Sequence, residues 1–252
     1  MLTSKHSVLR HRLDRGDRLG VFWLSLGSPA LAEVAGKAKP DAIVLDLQHG
    51  LWERLGVEAA IGVIPPDVPV LARVAENSPS AIGKALDAGA DGVIVPLIET
   101  RKQAKRAVRA ARYPPAGERS GGGVRPLASF VEYKTRADAG VVVIAMIETV
   151  AGLRNAGKIA GTEGVDMVFI GTGDLALSLD SLPGCDPRHE NACRDILAAC
   201  RAHWTPCGIF TASNEAAIVR RTQGYRMVVL ADDITLVSRG FKTAVASFAS
   251  SR

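Results

Sequence analysis

Residues 141–148 read Val-Val-Val-Ile-Ala-Met-Ile-Glu, seven apolar residues in a row closed by a carboxylate. A run of that kind, without alternation and rich in β-branched side chains, suits a parallel strand buried on both faces. The same form recurs upstream as FWLSL (22–26), AIVLDL (42–47), PVLARV (69–74) and GVIVPLIE (92–99), and downstream as DMVFIG (166–171), GIFTAS (208–213) and RMVVLADD (226–233). Segments of helical period lie between them, at 29–36, 80–88, 101–112, 150–159 and 214–222. Alternating strands and helices predict a parallel sheet. About eight such units predict a single α/β domain over residues 1–252, a closed (β/α)8 TIM barrel. An open doubly wound sheet is the competing arrangement, but no Gly-x-Gly-x-x-Gly follows the first strand.

The composition is 47% hydrophobic and only 5% aromatic, which favours aliphatic strands under helices over an antiparallel sandwich. A net charge of +5 raises the question of nucleic acid. The basic residues, such as Lys102, Lys105, Arg106, Arg109 and Arg112, are instead spread along a helical segment with no aromatic platform. They read as a solvated face, and no nucleic-acid partner is expected. Cys185, Cys193, Cys200 and Cys207 show no Cys-x-x-Cys spacing, so neither a disulfide framework nor a zinc site is expected. No apolar run approaches the ~18 residues of a membrane span. The charged amino terminus (Lys5, His6, Arg10, His11, Arg12) reads as a cap helix of a cytoplasmic protein. Residues 113–125, rich in Pro, Gly and Arg, read as a loop after the fourth strand, beside the active-site mouth. Residues 181–188 read as a second loop, followed by an extra helical stretch through Cys193 and Cys200.

Barrel enzymes carry their chemistry at the carboxyl ends of the strands. Here those ends supply Asp46, Gln48 and His49, then Arg73, then Glu148, then Gly171-Thr172-Gly173-Asp174. A carboxylate emerging from a buried strand, as Glu148 does, is costly unless paired or metal-bound. Asp174 opens a helix within a Gly-rich turn, where an ordinary helix N-cap also belongs. Two hard oxygen ligands on neighbouring strands suit Mg²⁺ or Mn²⁺. His49 is either a structural histidine or a general acid/base oriented by Asp46. Arg73 either pairs with a structural acid or clamps a carboxylate substrate.

Two other barrel chemistries fit less well. A Schiff-base aldolase needs a desolvated lysine at a strand end. The lysines instead fall in predicted helices, in loops before strands, or at the termini. A phosphate site would lie after the last two strands, yet those ends read FTASNE and LADDITL, with adjacent acids and no glycine.

LDLQHG (45–50), LARV (71–74), LDAGADGVIVPLIET (86–100), RYPPAGERS (112–120), AMIET (145–149) and FIGTGDL (169–175) occur in this order. The ordered set resembles the HpcH/HpaI aldolase/citrate lyase family, and within it the class II pyruvate aldolases acting on 4-hydroxy-2-oxoheptanedioate or 2-dehydro-3-deoxyglucarate. The similarity runs over nearly the whole chain. It implies a TIM barrel whose final helix swaps between subunits, assembled as a hexamer of dimer pairs. It also implies Glu148 and Asp174 as ligands of a divalent cation (Mg²⁺, Mn²⁺ or Co²⁺), His49 as acid/base with Asp46 behind it, and Arg73 stabilising an enolate. The amides of Gly173 and Asp174 would hold the pyruvyl carboxylate, and Asp87 would reach the histidine network of a neighbouring subunit. Three positions depart from the family pattern: Gln48 where an acid is usual, Met146 where Gln is usual, and Thr172 where Pro is usual. Met146 would lie beside the substrate.

The implied reaction is aldol cleavage of a 4-hydroxy-2-oxo acid to pyruvate and an aldehyde, with small molecules as the only substrates. The competing readings are an acyl-CoA lyase or oxo-acid decarboxylase of the wider superfamily, and a degenerate barrel that senses small acids.

Overall fold

The computed structural model describes residues 5–127, 129–182 and 186–250. In chain order the elements are α1 (Lys5–Asp14), β1 (Leu19–Leu24), α2 (Pro29–Lys37), β2 (Ala42–Asp46), α3 (Arg54–Val63), β3 (Val70–Arg73), α4 (Pro79–Asp87) and β4 (Gly92–Val95). There follow α5 (Arg101–Ala111), α6 (Val124–Leu127), α7 (Phe130–Gly140), β5 (Val142–Ile147), α8 (Val150–Arg154), α9 (Ala156–Ala160) and β6 (Met167–Ile170). The chain ends in α10 (Thr172–Ser178), α11 (Pro187–Ala202), β7 (Cys207–Ile209), α12 (Asn214–Gln223), β8 (Met227–Asp232) and α13 (Asp233–Ala249). The strands pair in parallel and in sequence order, and β8 returns to β1, so the barrel closes as the alternation predicts.

Two apolar layers hold it. Outward strand residues such as Ile43, Ala72, Val93 and Ile147 pack under the helices. Inward residues fill the barrel: Val21, Trp23, Val44, Leu71, Ile94, Ile144, Met146 and Phe169. Leu9 and Leu13 of α1 belong to the same inner cluster and plug its amino-terminal end, as a cap helix should. On α5 the alanines at 104, 107, 110 and 111 are buried, which leaves Lys102, Lys105, Arg106 and Arg109 outward as a solvated face. Arg112 at the cap departs from that expectation: it turns inward, largely buried, beside Asp166. Helices α2, α4, α5, α8 and α12 start where Ser28, Ser78, Thr100, Thr149 and Ser213 accept an amide hydrogen bond from the first turn.

The structure corrects three sequence expectations. Residues 113–125 follow α5, not β4, so they lie at the amino-terminal end of the barrel, away from the mouth, where Arg119 bonds Asp87 at the end of α4. The helix expected over 150–159 breaks into α8 and α9 at Asn155, whose Nδ2 donates to Glu99 O and Ala151 O. Helices α3 and α7 were not anticipated, since glycines and mixed polarity blur their period. Cys193, Cys200 and Cys207 are buried free thiols, while Cys185 and part of the 181–188 loop lie outside the described residues. Among the described residues, no helix is long and apolar enough to cross a membrane.

Candidate active site

The period of two that fills the barrel also builds its mouth. On β5, Val142, Ile144 and Met146 face the inner cluster, and the next inward position is Glu148. On β2, Ala42 and Val44 face inward and Asp46 follows; on β3, Leu71 is followed by Arg73; on β6, Met167 and Phe169 are followed by Gly171. Four strands thus place polar or bare positions on one rim, above an apolar plug. The cavity there holds about 230 Å³. It brings together His49, Arg73, Met146, Glu148, Gly173 and Asp174, which the sequence singles out, with Trp23 and Phe210, which it does not.

Asp46 and Arg73 are register partners on adjacent strands, and they form a bidentate pair. Arg73 Nε donates to Asp46 Oδ1 at 2.8 Å and Arg73 Nη2 to Oδ2 at 2.5 Å. Arg73 Nη1 keeps no hydrogen bond among the described residues, and the guanidinium lies 5.0 Å over the Trp23 ring. Burial opposes ionisation of Asp46 most strongly, yet the Arg73 bonds and charge, the His49 amide and the Trp23 indole together hold it below its ordinary value. Of the two alternatives for Arg73, the structure shows the pairing with an acid, and the same side chain lines the cavity.

His49 requires a correction. Asp46 Oδ1 accepts from the backbone amides of Gln48 (3.1 Å) and His49 (3.3 Å), and no hydrogen bond joins the carboxylate to the imidazole. Asp46 therefore fixes the turn that carries His49, not its ring. That turn needs Gly50, where any Cβ would fall 2.3 Å from Asp46 O. The imidazole stands exposed on the rim.

Glu148 is 1% exposed. Its Oε1 accepts from Leu97 N at 2.8 Å, with Leu97 held in the left-handed region (φ 55°), and its Oε2 is buried without a partner. Burial, and the nearby negative charge of Asp174, push its carboxyl up to about 7 against the pull of the Leu97 amide and of Arg73. Asp174 is not the helix N-cap; that position is Gly171, which makes no side-chain bond, and Asp174 sits in the first turn of α10. Among the described residues, no three His, Cys, Asp or Glu side chains form a ready-made metal cluster. The cavity offers two carboxylates, which is what Mg²⁺-type sites use alongside water and substrate. The buried, unpartnered Oε2 beside a second acid fits such a cation.

Asp87 is not brought to this cavity. It ends α4 at the opposite end of the barrel and pairs with Arg119 at 2.8 Å. Gly171 reads from the sequence only as part of a Gly-rich turn, although its lack of a side chain decides the site. A Cβ there would lie 2.4 Å from Glu148 Oε2. Gly171→Ala is expected to displace that carboxylate and lower kcat/KM roughly 100-fold, as about 1 Å of misplacement does elsewhere. The melting temperature should change little; unaltered kinetics would mean that the Glu148 carboxylate does not need this position.

A family model described as HpcH/HpaI aldolase/citrate lyase matches residues 19–240. The chain is 34% identical to a hydroxypyruvate/pyruvate aldolase of Paraburkholderia phytofirmans, over 94% of this chain and 95% of that protein. It is 35% identical to a 4-hydroxy-2-oxovalerate aldolase of Rhodococcus jostii, over 90% of each. A solved HpcH/HpaI aldolase/citrate lyase family protein from Burkholderia cenocepacia matches it with a TM-score of 0.91 and 34% identity, over 96% of this chain and 98% of that one.

Proposed function

The chain belongs to the HpcH/HpaI aldolase/citrate lyase family, and from that premise we propose that its rim cavity cleaves and forms the C3–C4 bond of 4-hydroxy-2-oxo acids, with pyruvate and an aldehyde as the other side of the equilibrium. The chain is a carbon–carbon lyase of the aldolase kind acting on small molecules. The observation that carries the finer reading is the buried, unpartnered Glu148 Oε2 beside Asp174, in a cavity that also holds Arg73 and His49.

Glu148 and Asp174 would hold a divalent cation (Mg²⁺, Mn²⁺ or Co²⁺), which when bound supplies Lewis-acid polarisation of the substrate's 2-oxo group. Arg73, fixed through two of its nitrogens by Asp46, presents positive charge to the enolate oxygen that develops on cleavage. His49 takes the C4 hydroxyl proton from the open side of the cavity. The first-turn amides of α10, at Gly173 and Asp174, lack intrahelical acceptors and receive the 2-oxo acid carboxylate. Trp23, Met146 and Phe210 line the cavity with apolar surface and lower its water content. We further read the chain as a hexamer of dimer pairs in which α13 exchanges between subunits. Phe241 and Val245 on that helix are 70% and 71% exposed, which suits a helix that packs on another copy. In the same assembly Asp87 would serve a neighbour's histidine.

The test is a coupled pyruvate-release assay over a panel of 4-hydroxy-2-oxo acids. Chelation is expected to abolish turnover and Mg²⁺, Mn²⁺ or Co²⁺ to restore it, while borohydride with pyruvate leaves the protein unmodified. Turnover that survives chelation, or a stable reduced adduct, would rule out this mechanism.

A further inference from the structure

The amino-terminal end of the barrel carries a second cavity, of about 580 Å³, remote from Glu148. It opens beside Leu13 of α1 and Gly16 just after that helix, and is bounded by the start of β7 at Cys207 and by Arg226 before β8. This end of a TIM barrel ordinarily serves stability. Several arginines there fit that rule: Arg10 and Arg112 pair with Asp166, and Arg12 pairs with Asp41.

Arg18, Arg201 and Arg226, which line the cavity, depart from it, since none has a carboxylate partner among the described residues. Asp17, next to Arg18, is engaged by Arg12 and Arg15. Two of the three are nonetheless held in place by carbonyls: Arg201 Nη2 donates to Gln223 O at 2.6 Å, and Arg226 Nη1 donates to Gly16 O. Gly224, at φ 103°, leaves room for Arg201, because a Cβ there would meet its Nη2 at 2.3 Å. The result is two positioned guanidinium groups, Arg201 and Arg226, beside the exposed Arg18, and among the described residues no carboxylate pairs with any of the three.

A separate feature lies on the same rim. Trp204, one residue past the cap of α11, adopts φ 58°, a left-handed conformation that a bulky side chain rarely takes and that glycine usually fills. It is also 94% exposed, so the chain gains no burial from holding the indole there. Three uncompensated guanidiniums bind phosphates through paired N–H donors, and an exposed indole stacks on a planar ring. The volume lies within the range of small-molecule sites.

From this we infer that the cavity bounded by Arg18, Arg201, Arg226 and Trp204 binds a nucleoside di- or triphosphate, with the base on Trp204 and the phosphates on the arginines. The test is titration calorimetry on the full-length protein with ATP and, separately, inorganic tripolyphosphate, with and without excess pyruvate. ATP is expected to bind saturably with Kd below about 1 mM, indifferent to pyruvate. Trp204→Ala should weaken ATP roughly tenfold, in line with the loss of one stacked base, and leave tripolyphosphate unchanged. Arg18→Ala and Arg201→Ala should weaken both ligands, with aldolase turnover intact in all three variants. The proposal is overturned by absent ATP binding, by displacement with pyruvate, or by ATP affinity that ignores Trp204. A Trp204→Ala variant that changes the oligomeric state without affecting ATP would overturn it too, and assign the indole to a contact between copies.

Discussion

Replacing Glu148 by glutamine is expected to lower aldol turnover by roughly 10³-fold or more while making the metal-free protein more stable above neutral pH. The two effects share one cause. Burial and the charge of Asp174 push the Glu148 carboxyl up from 4.5 to about 7. A carboxyl whose folded pKa is raised favours folding while it is protonated; that contribution is full below about 4.5 and is lost as pH rises through 7. Glutamine has the same shape and no charge at any pH. In chelator at pH 8 the variant should therefore be the more stable protein, by an amount on the order of 3 kcal/mol. The difference should close as pH falls toward 5. Divalent cation should reverse the order, because it stabilises only a chain that binds it. Thermal or urea unfolding from pH 5 to 8, with and without Mn²⁺, measures all three. A wild-type protein equally stable across that range in chelator would mean the carboxylate is not confined as described.

That Glu148 can be singled out from the sequence follows from strand periodicity, whereas Asp174 is legible only as an acid in the Gly-rich turn that opens a helix. Val142, Ile144 and Met146 are inward barrel residues, and a carboxylate two positions further on can only face the mouth. The same count places Asp46 and Arg73. It does not reveal that these two are register partners, because register depends on how neighbouring strands slide against each other. Asp46 was accordingly paired in expectation with the nearby His49 ring, whereas the structure gives its side chain to Arg73, 27 residues away. Trp23 was invisible for a related reason: an aromatic in a buried strand reads as core, and only the closed barrel puts it under the Arg73 guanidinium. Residues 113–125 mislead in the sequence because a Pro- and Gly-rich stretch reads as the direct sequel of a strand, whereas the eleven residues of α5 carry the chain to the far end first.

The same geometry separates two roles that a simple loss of activity would confound. The Asp46–Arg73 pair is rigid: it is bidentate, buried and tied to the backbone of the 46–50 turn. Glu148 is likewise fixed by the Leu97 amide. His49 alone is held by its backbone while its ring stands exposed on the rim, so its side chain can be removed without disturbing the others.

His49→Ala is therefore expected to cut retro-aldol cleavage by roughly 10²–10⁴-fold, the usual worth of a positioned proton-transfer group. Decarboxylation of oxaloacetate by the same site should fall less than about tenfold. Both reactions develop an enolate beside Arg73, but only the aldol reaction requires a proton to leave the C4 hydroxyl. The quantity to measure is the ratio of the two activities in wild type and variant, at saturating divalent cation and over a range of pH. A retained fold, shown by an unchanged melting temperature, and retained cation affinity would confine the effect to proton transfer. Equal losses in both reactions would instead assign His49 to substrate binding, and the proton would have to leave by water alone.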